Sequence, residues 1–226
     1  MHGLFVTGTG TGVGKTVLAA AIIAALRARG AAPLAFKPVV TGLDDPPDPA
    51  CPPDHELLGW AAGRRAADVA LIGYGPPVSP HLAAELAGRP IDPQALLARL
   101  RAAADGGGPV VIEGVGGLLV PLADGYDVRR FALALGLPVV IASRPGLGTI
   151  NHTLLTLEAA RRAPLEVAGV VLTPWPREPT AIERSNRETI DHLGGVTVST
   201  LPPIARADLE LLASAAADLP IDRWLG

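Results

Sequence analysis

The chain has 226 residues and a formal net charge of −3 at pH 7. This length can bury one substantial core, so we expect a single domain spanning residues 1–226. The slight acidic excess argues against a basic surface for nucleic acid or anionic lipid, and no run of about 18 apolar residues indicates a membrane span. No basic segment typical of a secretion signal precedes the apolar residues 4–6, so we expect a cytoplasmic protein.

Short apolar runs recur along the chain, with room for helices between them. They occupy residues 4–7, 34–38, 110–113, 139–142, 168–172 and 196–201. An alanine-rich segment predicts a helix over residues 16–29, and Asp92 before a proline predicts the N-cap of a helix over 93–104. A further helix is expected after Asn151, ending near residue 162. The alternation predicts an α/β fold with a doubly wound, mostly parallel sheet, whose ligands bind beyond the carboxyl ends of the strands.

The segment between the second predicted strand and the residues that follow it is rich in aspartate and proline. It covers residues 43–53 and has no periodicity, which predicts a flexible loop. Cys51 lies in this loop and is the one cysteine of the chain, so no internal disulfide can form.

A glycine-rich segment directly follows the first predicted strand. Residues 8–16 read GTGTGVGKT, with five residues rather than the usual four between Gly8 and Gly14. Glycines allow a tight backbone whose N–H groups point at phosphate, and the helix that follows adds the positive end of its dipole. Lys15 would reach the β- and γ-phosphates, and the Thr16 hydroxyl would bind Mg²⁺. The segment predicts a P-loop rather than a plain turn between strand and helix.

Two further charged residues stand at the ends of predicted strands. Glu113 ends an apolar run and is followed by glycines; beside a P-loop, such a carboxylate can hold Mg²⁺. The plainer interpretation is a glutamate that caps a helix or meets solvent. Lys37 precedes Pro38, which we expect to end the strand and to leave Lys37 near the ligand. The alternative for Lys37 is a solvated surface charge.

Together these segments resemble the dethiobiotin synthetase family. The resemblance rests on the long P-loop, the Lys-Pro-Val segment at 37–39, the Ser-Pro-His segment at 79–81, the glycine loop at 113–117 and the Leu-Gly-Thr-Ile-Asn-His segment at 147–152. It implies a magnesium-dependent homodimeric ligase of biotin biosynthesis. Such an enzyme uses ATP, or another nucleoside triphosphate, and CO₂ to close the ureido ring of 7,8-diaminononanoate, giving dethiobiotin.

The resemblance also implies roles for individual residues. The catalytic residues would be Lys37, Lys15 and Thr11. The metal ligands would be Thr16, Asp54 and Glu113. The substrate would bind to Thr41, Ser79, Pro80, Leu147, Gly148 and Asn151, and the nucleotide to Gly12, Val13, Gly14, Lys15, Thr16, Thr173 and Pro174. In the family the 147–151 segment grips the substrate carboxylate across a twofold interface, which implies active sites shared between two subunits.

Three assignments have alternatives. Asp54 is equally well interpreted as a helix N-cap before the sequence HELL, and Asn151 as an N-cap within one subunit. The family often reads adenine with an asparagine after the strand at 168–172, whereas this chain has Thr173 and Pro174 there. The base contact must therefore differ, and the preferred nucleoside triphosphate is left open.

Other P-loop proteins are the competing functional interpretations. Partitioning and nitrogenase-iron-type ATPases carry a second lysine early in the P-loop, where this chain has Gly10. Corrin amidating synthases add a glutaminase domain, for which 226 residues leave no room. A regulatory nucleotide-binding module without chemistry is a third alternative, which product formation from diaminononanoate would separate from a synthetase.

Overall fold

The computed structural model describes residues 1–46, 52–105 and 107–226. The predicted loop at 43–53 therefore lies partly outside the described residues, and Cys51 lies wholly outside them. Within the described residues, no helix is both long enough and apolar enough to cross a membrane.

Seven parallel strands form one sheet, and two short antiparallel strands form a separate hairpin. The strands are β1 (Gly3–Gly8), β2 (Leu34–Val40), β3 (Ala70–Gly73), β4 (Val110–Glu113), β5 (Pro121–Ala123), β6 (Tyr126–Asp127), β7 (Val139–Ser143), β8 (Val167–Leu172) and β9 (Val198–Thr200). The order across the sheet is β3-β2-β4-β1-β7-β8-β9, and β5 pairs with β6. The central strands β4, β1 and β7 are fully buried, as expected for parallel strands covered on both faces.

Helices connect the strands. They are α1 (Lys15–Ala28), α2 (Asp54–Ala62), α3 (Ala66–Val69), α4 (Pro80–Leu86), α5 (Pro93–Ala103), α6 (Val128–Leu135), α7 (Thr149–Arg162), α8 (Ala181–Gly194), α9 (Leu209–Ala215) and α10 (Ile221–Leu225). Asp92 caps α5 as predicted, accepting hydrogen bonds from the backbone N–H groups of Gln94 and Ala95. The α1 and α5 bounds lie within one residue of the prediction.

The core divides into two clusters, one on each face of the sheet. Successive residues of β1 alternate between them: Phe5 joins one cluster, and Leu4 and Val6 join the other. The α1 side chains pack on the face that receives Leu4, whereas α5, α6 and α7 contribute to the face that receives Phe5. This three-layer arrangement confirms the predicted doubly wound α/β fold, and all seven strands of the sheet are parallel.

Three details of the prediction were wrong. Pro38 does not end β2, which continues to Val40. The last residue pair between β2 and β4 is Phe36 with Ile112, while Lys37 and Val39 pair with β3. The missing N–H of Pro38 therefore falls beyond the β4 ladder and costs no hydrogen bond.

The other two concern α7 and the shorter strands. Helix α7 begins at Thr149 rather than after Asn151, and its N-cap is Gly148 with φ 89°, in the left-handed region that glycine adopts freely. Strand β3 and the β5–β6 hairpin were not predicted; none of the three is fully buried, unlike the central strands.

Candidate active site

The P-loop spans the turn from β1 to α1, where the sequence placed it. Gly14 is the N-cap of α1 and has φ 92°. A Cβ atom on Gly14 would lie 2.7 Å from Thr173 Cγ2. Only glycine satisfies both the left-handed backbone and this close approach. The loop therefore lies directly against the residue that follows β8. The first-turn N–H groups of a helix lack intrahelical partners and are the kind of donors that bind phosphate.

Lys15, the first residue of α1, is buried beneath the P-loop. Its ammonium donates a hydrogen bond to the Gly10 carbonyl oxygen at 2.7 Å. Burial lowers the pKa of Lys15 to about 8, with Glu113 opposing the shift and Lys37 adding to it. The site thus holds a cation that binding of a polyanionic ligand would stabilise.

Lys37 lies between two carboxylates. Its Nζ atom is 2.5 Å from Glu113 Oε1 and 2.6 Å from Asp54 Oδ2. Burial alone would lower the pKa of Lys37, but the two carboxylates raise it above its ordinary value. Complete burial raises the pKa of the Glu113 carboxyl, and the Lys37 ammonium opposes that rise. The solvated-surface interpretation of Lys37 is therefore wrong, as is the solvent-facing or helix-capping interpretation of Glu113.

Asp54 is the first residue of α2 and not its N-cap. The N-cap is Pro53, and the helix has no side-chain cap. Burial would raise the pKa of Asp54, but the Lys37 ammonium and the Thr16 hydroxyl hold it below its ordinary value. The side chain thus turns toward the P-loop instead of its own helix, which contradicts the capping interpretation.

The Thr16 hydroxyl lies within hydrogen-bond distance of the carboxylates of both Asp54 and Glu113. It lies 2.8 Å from Asp54 Oδ1 and 3.0 Å from Glu113 Oε1. Glu113 Oε2 is buried and has no hydrogen-bond partner among the described residues. Hard oxygen donors of this kind suit Mg²⁺, which takes one or two carboxylates together with substrate phosphates and water. Within the described residues, no group of three or more His, Cys, Asp or Glu side chains is arranged to hold a metal ion.

A cleft of about 700 Å³ opens above these charges. It is bounded on one side by the P-loop and on the other by the start of α4. Four of the residues predicted to contact the substrate or the transferred group line it: Thr11, Thr41, Ser79 and Pro80. Lys15, Thr16, Lys37, Asp54 and Glu113 line the same cleft. The structure therefore brings the predicted catalytic and metal-binding side chains together in one place.

The remaining predicted residues lie at or beside a second cleft, which shares Gly12 and Gly14 with the first. This cleft, of about 710 Å³, is lined by Gly12, Val13 and Gly14 together with Leu147 and Pro174. Leu147 is 98% exposed, and Gly148 and Asn151 form the exposed start of α7 beside it. Thr173 is buried, with its methyl group against Gly14. The 147–151 segment of one chain therefore does not line the cleft that holds Lys37.

Two features of the second cleft were not predicted from the sequence. The hydroxyls of Ser143, Thr149 and Thr153 form a buried hydrogen-bonded cluster that reaches Thr9 of the P-loop. Arg144 donates to the Gly12 carbonyl oxygen. Ser143 and Arg144 stand at the carboxyl end of β7, just as Glu113 ends β4, so strand-end position was the signal available for them.

Comparison with known proteins places the chain in a family. Residues 2–208 match a family model described as an AAA domain. The ATP-dependent dethiobiotin synthetase BioD of Haloferax mediterranei is 41% identical over 225 residues, covering 99% of this chain and 94% of that protein. The ATP-dependent dethiobiotin synthetase BioD of Anaeromyxobacter dehalogenans is 46% identical over 174 residues, 76% of each chain.

A solved structure shares the fold. Cobyrinic acid a,c-diamide synthase from Mycobacterium smegmatis, with a bound ATP analogue and magnesium, superposes with a TM-score of 0.56 and 20% identity, covering 96% of this chain and 93% of that one. The identity of the sequence relatives over three quarters or more of their length decides the assignment. This chain belongs to the ATP-dependent dethiobiotin synthetase family.

Proposed function

We propose that the chain is a magnesium-dependent, ATP-driven ligase that converts 7,8-diaminononanoate and CO₂ to dethiobiotin, acting in the cytoplasm as a single-domain subunit of a homodimer. The observation that carries the proposal is the convergence of Lys15, Lys37, Thr16 and Glu113 in one cleft. Phosphoryl transfer needs positioned positive charge rather than covalent help from the protein. Family membership supplies the substrate class.

The proposed reaction has three balanced steps. A substrate amine adds to CO₂ and loses a proton, giving a carbamate. A carbamate oxygen then bonds to the γ-phosphorus while the bond to ADP breaks. The second amine attacks the carbonyl carbon and expels inorganic phosphate, which closes the ureido ring and releases a proton. Mg²⁺ held by Thr16, Asp54 and Glu113 would neutralise charge on the phosphates.

We assign each side chain of the cleft a role in this reaction from its position. Lys15, at the base of the P-loop, would hold the β- and γ-phosphates. Lys37, 2.5 Å from Glu113 Oε1, lies where it could stabilise negative charge passing from carbamate to phosphate. Thr11 and Thr41 line the same cleft and would add hydroxyl donors. Ser79 and Pro80 at the start of α4 would bound the diamine end of the substrate.

The carboxylate end of the substrate needs a separate anchor. In the proposed dimer, Leu147, Gly148 and Asn151 of one subunit would supply it to the cleft of the other. The exposure of Leu147 and the start of α7, which carries no side-chain cap, support this arrangement. Pro174 and the backbone at Thr173 would border the nucleoside.

The test is product formation. The protein is incubated with 7,8-diaminononanoate, bicarbonate, Mg²⁺ and each of ATP, CTP, GTP and UTP, and dethiobiotin and phosphate are measured. We expect dethiobiotin and phosphate in equal amounts, with Lys15→Ala as the inactive control. Strict use of ATP would show that a residue other than Thr173 or Pro174 reads the base. Nucleotide hydrolysis without dethiobiotin would overturn the proposal in favour of an ATPase switch.

A further inference from the structure

Arg144 holds the P-loop from the side opposite to Lys37. Its Nε and Nη2 atoms donate hydrogen bonds to the Gly12 carbonyl oxygen, at 3.1 and 2.8 Å. Arg144 lines the second cleft, whereas Lys37 lines the first, and Gly12 borders both. Arg144 therefore contacts the P-loop backbone from the second cleft, whereas Lys15 contacts it from the first, at the Gly10 carbonyl oxygen.

This contact decides how one peptide group is oriented. The peptide bond is planar and trans, so the Gly12 carbonyl and the Val13 N–H point in opposite directions. The orientation of this peptide changes by rotation about the Gly12 Cα–C bond, and Gly12, which has φ 70°, lacks the Cβ atom that would restrict this rotation. A guanidinium that donates to the carbonyl oxygen on one side turns the Val13 N–H toward the other.

The position of Arg144 is itself fixed on both flanks. On one side, Ser143 Oγ lies 2.9 Å from Thr149 Oγ1 and accepts a hydrogen bond from Thr153 Oγ1 at 3.0 Å. On the other side, the Asn186 amide donates to the carbonyl oxygens of Pro145 and Gly146, at 2.9 and 3.2 Å. Hydrogen bonds from charged groups are stronger than those between neutral groups. Because the backbone that carries Arg144 is held on both sides, its hydrogen bond to Gly12 can set the geometry of the P-loop.

We propose that Arg144 is a positioning residue that fixes the Gly12–Val13 peptide and thereby aims the Val13 N–H at the phosphates of the bound nucleotide. The inference rests on the proposed nucleotide binding at the P-loop. It assigns to the segment after β7 a role in the nucleotide site of its own chain, separate from any role of residues 147–151 in gripping a substrate carboxylate.

The experiment compares Arg144→Ala with Arg162→Ala. Arg162 is an exposed arginine in the last turn of α7 that pairs with Glu158, so its removal deletes the same charge without touching the P-loop. We expect the ADP Kd, measured by calorimetry at pH 7, to rise about tenfold for Arg144→Ala, since a charge-assisted hydrogen bond that preorganises a ligand site is lost. Arg162→Ala should bind like the wild type, and the melting temperatures of all three without nucleotide should agree within about 2 °C.

Two results would overturn the inference. One is an ADP Kd for Arg144→Ala equal to that of Arg162→Ala. The other is wild-type binding by Arg144→Lys together with alanine-like binding by Arg144→Gln, because charge alone would then explain the effect. A wild-type protein that binds no nucleotide would defeat the proposed function instead, so the two failures are distinguishable.

Discussion

Lys37 Nζ lies 2.5 Å from Glu113 Oε1, although the two residues are 76 positions apart in the sequence. The sheet explains the contact: β2 and β4 are neighbours, and Phe36 pairs with Ile112 one position earlier in each strand. Asp54 completes a group of one cation and two carboxylates. Two carboxylates thus hold the ammonium in the cleft where we propose that the charge of the substrate changes.

We predict that Lys37→Met lowers kcat by more than about a hundredfold while changing the ADP Kd by less than about threefold. The ammonium is expected to act on charge that develops during transfer, rather than on the bound diphosphate. Turnover and calorimetry measure the two quantities. Arg65→Ala, which removes a cation from an exposed pair with Asp68, is the control and should leave both unchanged. Equal losses of turnover and affinity for Lys37→Met would make Lys37 a plain nucleotide ligand.

Lys15 gives the site a pH dependence. Its pKa is lowered to about 8, so the ammonium loses its proton as pH rises through 8, well below the ordinary value. Only the charged form attracts phosphate, and we therefore expect ADP to bind about tenfold more weakly at pH 9 than at pH 7. Calorimetry at pH 8 in buffers of different ionisation enthalpy should show uptake of about half a proton per site.

The proton uptake assigns the effect to one group. At pH 8 the phosphates of ADP are already ionised, so the uptake should vanish in Lys15→Met. The same variant should also lose more than about a hundredfold in turnover with its fold intact. Undiminished uptake in Lys15→Met would mean that another group titrates.

We predict that Thr16→Ala raises the Mg²⁺ concentration needed for half-maximal turnover by about tenfold, since the hydroxyl that joins Asp54 and Glu113 is lost. Thr16→Ser keeps the hydroxyl and should behave like the wild type. Mn²⁺ binding in the presence of ADP, followed by electron paramagnetic resonance, gives a readout that does not depend on activity. Identical titrations for the alanine variant and the wild type would show that the metal lies elsewhere.

The shared site of the proposed dimer can be tested by mixing inactive subunits. Sedimentation should first show a dimer at micromolar concentration. Lys15→Ala and Asn151→Tyr subunits should each be inactive alone, yet an equimolar mixture should regain about a quarter of wild-type activity, because half the dimers would carry one intact site of two. Lys15→Ala mixed with Lys37→Ala is the control, since both changes damage the same half-site. Stable heterodimers without recovered activity would rule out the shared site.

The sequence predicted those parts of the site whose chemistry is local. The P-loop is visible because glycines, lysine and threonine must occur at fixed spacing to wrap a phosphate. Glu113 was recognisable from its place at the end of an apolar strand. Asp92 could be assigned as an N-cap because the capping side chain and the proline at the first helical position are adjacent in the sequence.

Features that depend on the neighbouring strand or helix could not be predicted. Pro38 appeared to end β2, but whether a missing N–H matters depends on where β4 stops. Asn151 appeared to cap α7, but Gly148 takes that place while the Thr149 hydroxyl turns inward to Ser143. The contact of Arg144 with Gly12 joins residues 132 positions apart, and no local pattern marks it.

The order of strands in the sheet has a consequence for refolding. The contacts that build the site join Thr16 to Glu113 across 97 positions and Thr9 to Ser143 across 134. Such long-range closures are slow because chain entropy is lost before the contacts form. During refolding, the capacity to bind nucleotide should therefore return only when the last of the central strands has joined the sheet. It should lag behind the recovery of helical circular dichroism. Binding of a fluorescent nucleotide would then report that the sheet is complete.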